Sequence, residues 1–244
     1  MNQLQATIPL YIQIAEGILD QIQSGAFSPG DRIQPERELS EALGVNRRTV
    51  REALRVLEAE GLIERKQGVG TFVAQPKIER EVDRLFSFTK GMRGKGLRPG
   101  ANLITLDKRI PDLSIVQRLK LQPTTPVYYG IRLRLLNNEH TMLEKFYLPY
   151  DFFPDLNRHD LNRRSLYEVF QTEYGITPTE AVQSIEAVKA TEFESELLGI
   201  PSNDPVILER RLTFDQFGRP IESAKDVYRG DRFRFTSRVR LIEE

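Results

Sequence analysis

ERELSEALGVNRRTVREALRVLEAEGLIERKQGVGTFV, residues 36–73, decides the reading of this chain. Leu39, Ala42 and Leu43 fall on one helical face, and Gly44 supplies the left-handed residue that ends a helix. Asn46 can cap a second helix, because its side-chain oxygen accepts from the free amides of a first turn. Val50, Ala53, Leu54 and Leu57 recur at helical spacing until Gly61. Two short helices about a glycine turn make a helix-turn-helix pattern. With its apolar stripe buried, the second helix leaves Arg47, Arg48, Arg51 and Arg55 facing outward. The N-terminal residues of a recognition helix meet base edges, where an arginine fork grips guanine or phosphate. Leu62–Arg65 and Thr71–Val73 read as strands joined by the turn Gln67-Gly68-Val69-Gly70. Glycine at its tip lets the backbone approach a groove closely. Outward arginines alone usually mean solvated surface. Their place between a capped helix start and a glycine-tipped wing points to duplex DNA.

The stretch resembles the winged helix-turn-helix of GntR-family bacterial transcription regulators, over nearly all of residues 36–73. The resemblance implies DNA contacts at Arg37, Asn46, Arg47, Thr49, Arg51 and Gly68, to which the arginine face adds Arg48 and the wing turn adds Gln67. Gln34-Pro35 stands where the family usually has Pro-Ser, and Arg48 where a small or neutral residue is common.

Composition bounds the rest. Lys+Arg and Asp+Glu balance at 35 each, and residues 1–75 carry eight basic against ten acidic side chains. Any attraction for DNA therefore rests on local potential at the arginine helix and Arg65-Lys66, not on net charge. The absence of cysteine excludes disulfides, thiolate catalysis and cysteine-based zinc sites. His140 and His159 are too few for a histidine metal site, and no cofactor loop of the P-loop or dinucleotide type occurs. Neither a metal nor a cofactor is expected. No apolar run approaches the ~18 residues of a membrane span, and no signal peptide opens the chain, so a cytoplasmic location without membrane contact is expected.

Outward from the central stretch, residues 1–8 read as a polar arm. Pro9 suits a first helical position, and Ile14, Ile18 and Ile22 repeat at four-residue steps up to Gly25. The winged-helix domain is set at 1–75. Pro76 stops the wing strand, and the charged run after it makes 76–87 a linker. From 88 to 244 the pattern changes to strands and short helices. Within it, RLKLQPTTPVYYGIRLRL (118–135) lies over LLGIPSNDPVILERRLTF (197–214) at an offset of 79, placing Arg132 on Arg211 and Val127 on Val206. Each copy runs helix end, turn, strand, then through Asn137-Asn138 or residues 216–219 into a returning strand carrying Glu144 or Glu222. The repeat implies an antiparallel sheet with helices, an α+β class, arranged about a pseudo-twofold axis with ligand crevices near the hairpins.

FSFTKGMRGKGLRPG (86–100), IRLRLLNNEHTMLEKFYLP (131–149), RRSLYEVFQTEYG (163–175) and GRPIESAKDVYRGDRFRF (218–235) resemble a UTRA domain. That is the effector-binding domain of the HutC-type branch of the GntR family, with a fold like that of chorismate lyase. On the residues themselves, Arg132 and Arg134 share one face of a strand, and two converging guanidiniums favour bidentate capture of phosphate or carboxylate. Ser165 precedes a helix and is read as its N-cap. The resemblance implies that Thr89, Arg132, Arg134, Ser165 and Tyr167 hold the acidic group of an effector. Glu144, Glu222 and Tyr228 would take hydroxyl or amino groups of its body, with Phe86 and Phe88 as apolar anchors. The plainer alternatives are a serine that only caps, a core tyrosine, and glutamates paired with Arg132 and Arg211.

The expectation is a ligand-responsive repressor, not an enzyme. A homodimer, joined through strands over 205–214 and 221–241, would bind a palindromic operator and be released by a small anionic metabolite, most simply a phosphorylated sugar or amino sugar. The alternatives are an enzyme of chorismate-lyase-like fold fused to a DNA-binding domain, and a regulator answering to a non-phosphorylated organic acid; fold alone does not carry function.

Overall fold

The computed structural model describes residues 8–66, 68–85 and 87–240, so the expectations placed on Gln67, on Phe86 and on the first seven residues of the arm lie outside the described residues. The chain divides into two compact units, Met1–Lys77 and Ile78–Glu244.

The first unit runs α1 (Leu10–Gln23), β1 (Arg32–Ile33), α2 (Glu36–Leu43), α3 (Arg47–Ala59), β2 (Ile63–Lys66) and β3 (Gly70–Val73). Its sheet has the order β1-β3-β2, so the wing hairpin gains a third strand from the segment after α1. Ile14 and Ile18 of α1 pack on Val50, Ala53, Leu54 and Leu57 of α3, with Ile33, Ile63 and Val73 closing the core from the sheet. Pro9 is the N-cap of α1 and not its first helical residue. Gly44 ends α2 with φ 65°, as its lack of a Cβ permits. Of the apolar stripe Leu39, Ala42, Leu43, only Leu39 packs on the core, half-buried; Ala42 and Leu43 are exposed. Ser40 is the buried residue of α2, and Leu43 is 49% exposed. α1 and α3 fill the core between them, and the stripe borders an open apolar groove with Ile14, Ile18 and Phe27.

The second unit begins inside the expected linker. Ile78–Glu81 is a strand, β4, that pairs in parallel with the last strand of the chain. Then come α4 (Phe88–Gly94), β5 (Pro99–Arg109), α5 (Leu113–Leu119), β6 (Val127–Leu136), β7 (Glu139–Pro149), α6 (Leu166–Tyr174), β8 (Pro178–Lys189), α7 (Glu192–Leu198), β9 (Pro205–Asp215), β10 (Pro220–Arg229) and β11 (Phe233–Thr236). The expected strand over 221–241 is thus two, broken at residues 230–232. β5 to β10 form one antiparallel sheet in the order β5-β6-β7-β10-β9-β8. The order is two mirrored triplets meeting at β7 and β10, consistent with the pseudo-twofold arrangement expected from the internal repeat. Asn137 and Asn138 turn β6 into β7 with φ of 51° and 70°, the left-handed pair of a tight hairpin.

The two faces of the sheet differ in kind. One carries Ile131, Leu133, Leu143, Val206, Leu208 and Val227, covered by α7, with α5 seated on Val127 beside them. The opposite face carries Tyr128, Phe146 and Leu148 under α6, and next to them a band of buried charge. That band is where the candidate effector site lies.

Candidate functional site

In the first unit the outward face of α3 is as the spacing requires. Arg47, Arg48, Arg51 and Arg55 are exposed, while Val50, Ala53, Leu54 and Leu57 are buried. Asn46 caps the helix, its Oδ1 accepting from the Arg48 amide at 2.9 Å. Thr49 is half-buried on the same first turn. The arginines differ in what holds them. Arg51 donates through Nε and Nη2 to Glu36 at 2.9–3.2 Å, and that hydrogen bond keeps the Glu36 carboxyl below the usual range. Arg37 is tied to Glu41 and Arg55 to Glu52, each at 2.9 Å along its own helix. Arg47 and Arg48 make no ion pair among the described residues. Gly68 has φ 73°, so a side chain at the wing tip would be strained. Among its described residues, the unit therefore presents two unpaired guanidiniums at a helix start and a third, Arg51, parked on a carboxylate beside it.

In the second unit, cross-strand register builds the charged band. Arg132 of β6, Glu144 of β7, Asp226 of β10 and Glu209 of β9 stand directly opposite one another in one row. The next row toward the Asn137-Asn138 turn is Arg134, Met142, Tyr228 and Ile207. Arg211 lies two residues along β9 from Glu209, on the same face. Three carboxyl groups side by side would repel, and the fold interleaves guanidiniums. Arg211 Nη1 reaches Asp226 at 2.9 Å, and Glu144 Oε2 lies 3.2 Å from Arg132 Nη1 and 3.3 Å from Arg134 Nη1. Burial together with Glu209, Glu144 and Glu222 pushes the Asp226 carboxyl well up, against the pull of Arg211. For Glu209 the balance is opposite: burial raises it, but Arg80 and Arg211 outweigh burial and hold it low.

A chamber opens on this band. Arg134, Glu144, Asp226, Arg211 and Tyr228 wall it from the sheet, Phe88 and Ser87 from the start of α4, and Ser165 and Tyr167 from α6. Its own volume is only about 30 Å³, and it opens beside a recess of about 410 Å³ that shares Leu85, Ser87, Ser165 and Tyr167 with it. Thr89, Lys90 and Arg93 line the recess. Arg134 is held in place by Thr89, whose Oγ1 accepts from Nη2 at 2.8 Å, and by the Phe88 ring 4.6 Å from its guanidinium.

Seven of the nine described residues singled out from the sequence border the chamber or its recess: Phe88, Thr89, Arg134, Glu144, Ser165, Tyr167 and Tyr228. The other two stand behind its walls. Arg132 is 1% exposed, and its Nη2 donates to the carbonyls of Leu161 and Arg164 at 2.7 and 3.1 Å. It anchors the loop into α6 and backs Glu144, and burial pushes its guanidinium down to about 10. Glu222 accepts from Tyr167 at 2.9 Å and from Thr213 at 2.7 Å through one oxygen, while its other oxygen has no partner. Ser165 occupies the N-cap position of α6 without capping it; its hydroxyl bonds instead with that of Ser87 at 2.6 Å. The plain capping alternative is excluded, and the hydroxyl faces the chamber.

Reading the sequence missed Ser87, Arg80, Arg211, Asp226 and Glu209. Arg211 had a signal, since the internal repeat lays it on Arg132. Arg80 had none, sitting in a charged run that reads as a linker. Several buried polar atoms have no hydrogen-bond partner among the described residues: Nε of Arg80, Arg134 and Arg211 and Oδ1 of Asp226 on lining residues, and Nε of Arg132 and Oε1 of Glu222 behind the walls. Buried polar groups are ordinarily satisfied, so unpartnered donors and acceptors around one chamber mark it as a place for a polar molecule.

Comparison with known proteins agrees in both units. Residues 10–73 match "Bacterial regulatory proteins, gntR family", and residues 94–234 match the UTRA domain. The chain is 36% identical over 231 residues to the HTH-type transcriptional repressor NagR of Bacillus subtilis, covering 95% of each. It is 32% identical to the histidine utilization repressor of Pseudomonas aeruginosa, covering 94% of this chain and 91% of that one. The crystal structure of PhnF from Mycobacterium smegmatis superposes with a TM-score of 0.67 at 30% identity, over 95% of this chain and 99% of that one. These relatives are regulators, which sets the enzyme alternative aside. With a winged helix-turn-helix bearing an exposed arginine face in one unit and a polar chamber in the other, the chain belongs to the GntR family of bacterial transcription regulators, in the HutC-type branch that carries a UTRA domain.

Proposed function

We propose that this protein is a repressor that binds a palindromic operator as a homodimer and is released when a phosphorylated sugar or amino sugar enters the chamber of the second unit. What carries the reading is a set of lining groups with open positions among the described residues: arginine donors at Arg134 and Arg211 and the carboxyl of Asp226, around one buried space. A molecule with an anionic end and several hydroxyl or amine donors satisfies both sets at once.

The basic side chains Lys90 and Arg93 set the anionic end at the recess, against Thr89, Arg134 and Ser165. The hydroxyl-bearing body then reaches inward to Glu144, Asp226 and Tyr228. Arg132 supports the site through Glu144 and the loop before α6. The relatives named as repressors support repression as the direction of control. On the DNA side, Arg47, Arg48 and Arg51 enter the major groove while Gly68 brings the wing backbone to an adjacent groove.

Thermal-shift titration with hexose 6-phosphates lacking or bearing 2-amino and 2-acetamido groups, beside non-phosphorylated organic acids, tests the reading. A selective rise in melting temperature with a phosphorylated sugar, lost in Arg134→Met, is expected. A rise with organic acids alone would transfer the assignment to that class.

A further inference from the structure

The strand that starts the second unit carries a buried arginine into the band of charge. β4 is four residues long and pairs with β11 alone, Arg80 standing opposite Phe235. Two-stranded ladders of this size are marginal by themselves. Side chains must hold β4 in place, and Arg80 does so most directly. Its Nη2 donates to both oxygens of Glu209 at 3.0 Å, and its guanidinium lies 5.3 Å from the Tyr228 ring and 5.7 Å from the Phe235 ring. Ile78 adds an apolar anchor against the cluster of Phe88, Met142, Tyr228 and Phe233.

The same group is open to the chamber. Arg80 and Tyr228 both line it, the Tyr228 hydroxyl donates to Glu209 Oε2 at 2.8 Å, and the Arg80 Nε has no partner. An occupant that meets Arg80, or shifts Tyr228, changes the partner set of Glu209, the carboxylate that Arg80 grips. Lys77, the residue before β4, is the last of the DNA-binding unit.

We propose that Arg80 is the residue that couples occupation of the chamber to the segment leading to the winged helix, by exchanging its grip on Glu209 when an occupant arrives. The inference rests on the effector reading above. Arg80 acts here as a positioning residue for β4, not as the anchor of the effector.

The test uses the full chain and an operator duplex, with glucosamine 6-phosphate, its N-acetyl derivative and inorganic phosphate as probes. Arg80→Met alone leaves Glu209 buried without its main partner and can unfold the unit, so the paired variant Arg80→Met with Glu209→Gln is measured beside it. In wild type, a sugar phosphate is expected to weaken operator binding about tenfold and to change amide exchange at Ile78 and Val82, which donate to the carbonyls of Arg232 and Thr236. In the paired variant the same probe should still raise the melting temperature, while the operator response shrinks to within about twofold of none and the exchange change disappears. A paired variant that responds like wild type overturns the coupling role alone. Loss of probe binding in that variant overturns it too, by making Arg80 an anchor of the effector. If no probe alters wild-type operator binding, the effector reading fails and the coupling role with it.

Discussion

Arginine serves the two units in opposite ways. On α3 it is exposed, carried on a helix whose shape owes nothing to its charge, and held by surface carboxylates or by none. In the second unit Arg80, Arg132, Arg134 and Arg211 are at most 9% exposed, and each is held by carboxylates from other strands. A surface pair is screened and contributes little, whereas stripping one partner from a buried pair leaves an uncompensated charge. The first unit therefore keeps its arginines available for an outside partner at small cost to its fold. The second has committed most of its arginine contacts to itself, and only the remaining donors are free to recognise a ligand.

The comparison breaks most sharply at Arg132. Arg132→Ala should destabilise the second unit by about 3–5 kcal/mol, since it leaves buried Glu144 with Arg134 as its one remaining guanidinium and strips two loop carbonyls of a donor. Urea unfolding followed by a signal from that unit measures it. A change near zero would place Arg132 among the dispensable surface arginines. Arg51→Ala should weaken operator binding roughly tenfold or more at one operator position while the melting temperature hardly moves. Binding to a set of operator variants checks this; uniform loss across all of them would falsify the base-contact role and leave a backbone contact.

Asp226 sharpens the contrast through pH. Its folded carboxyl is held well above the ordinary range, so between about pH 4 and the raised value the native state keeps a proton that the unfolded chain releases. Stability must then fall as pH rises through that window. Asp226→Asn should cost little near pH 5 and flatten the decline toward pH 8, read from urea midpoints of both proteins; parallel profiles would show that Asp226 is ionised in the fold. The smallest effect belongs to Arg37, whose pair with Glu41 lies open to solvent. Glu41→Gln should shift the melting temperature by less than about 2 °C, measured by calorimetry at low and at high salt.

Legibility in the sequence divides along the same line. The winged helix was legible because its signals are local: a cap at Asn46, a glycine stop at Gly44, and apolar residues at helical spacing. Where the first unit departed from expectation, at Ala42 and Leu43, the cause was tertiary, since α1 and α3 had already filled the core. In the second unit the internal repeat foretold an antiparallel sheet built of two related halves, without its strand order, and the spacing of Arg132 and Arg134 foretold a shared face.

What the sequence by itself determined is the helices and wing of the first unit, the hairpins of the internal repeat and which residues share their faces, because helix and strand periodicity place side chains within one element; β4 and the break between β10 and β11 lay outside it. Only the tertiary structure decided which arginine faces the chamber and which backs it. Arg132 and Arg134 are equivalent along β6, and it is the loop before α6 that takes one and leaves the other. Only pairing across strands set Glu144, Asp226 and Glu209 abreast, and with them the charge that an effector must answer. Arg80 joined them because a strand 129 residues away in sequence from Glu209 docks beside it, a contact that no local pattern encodes.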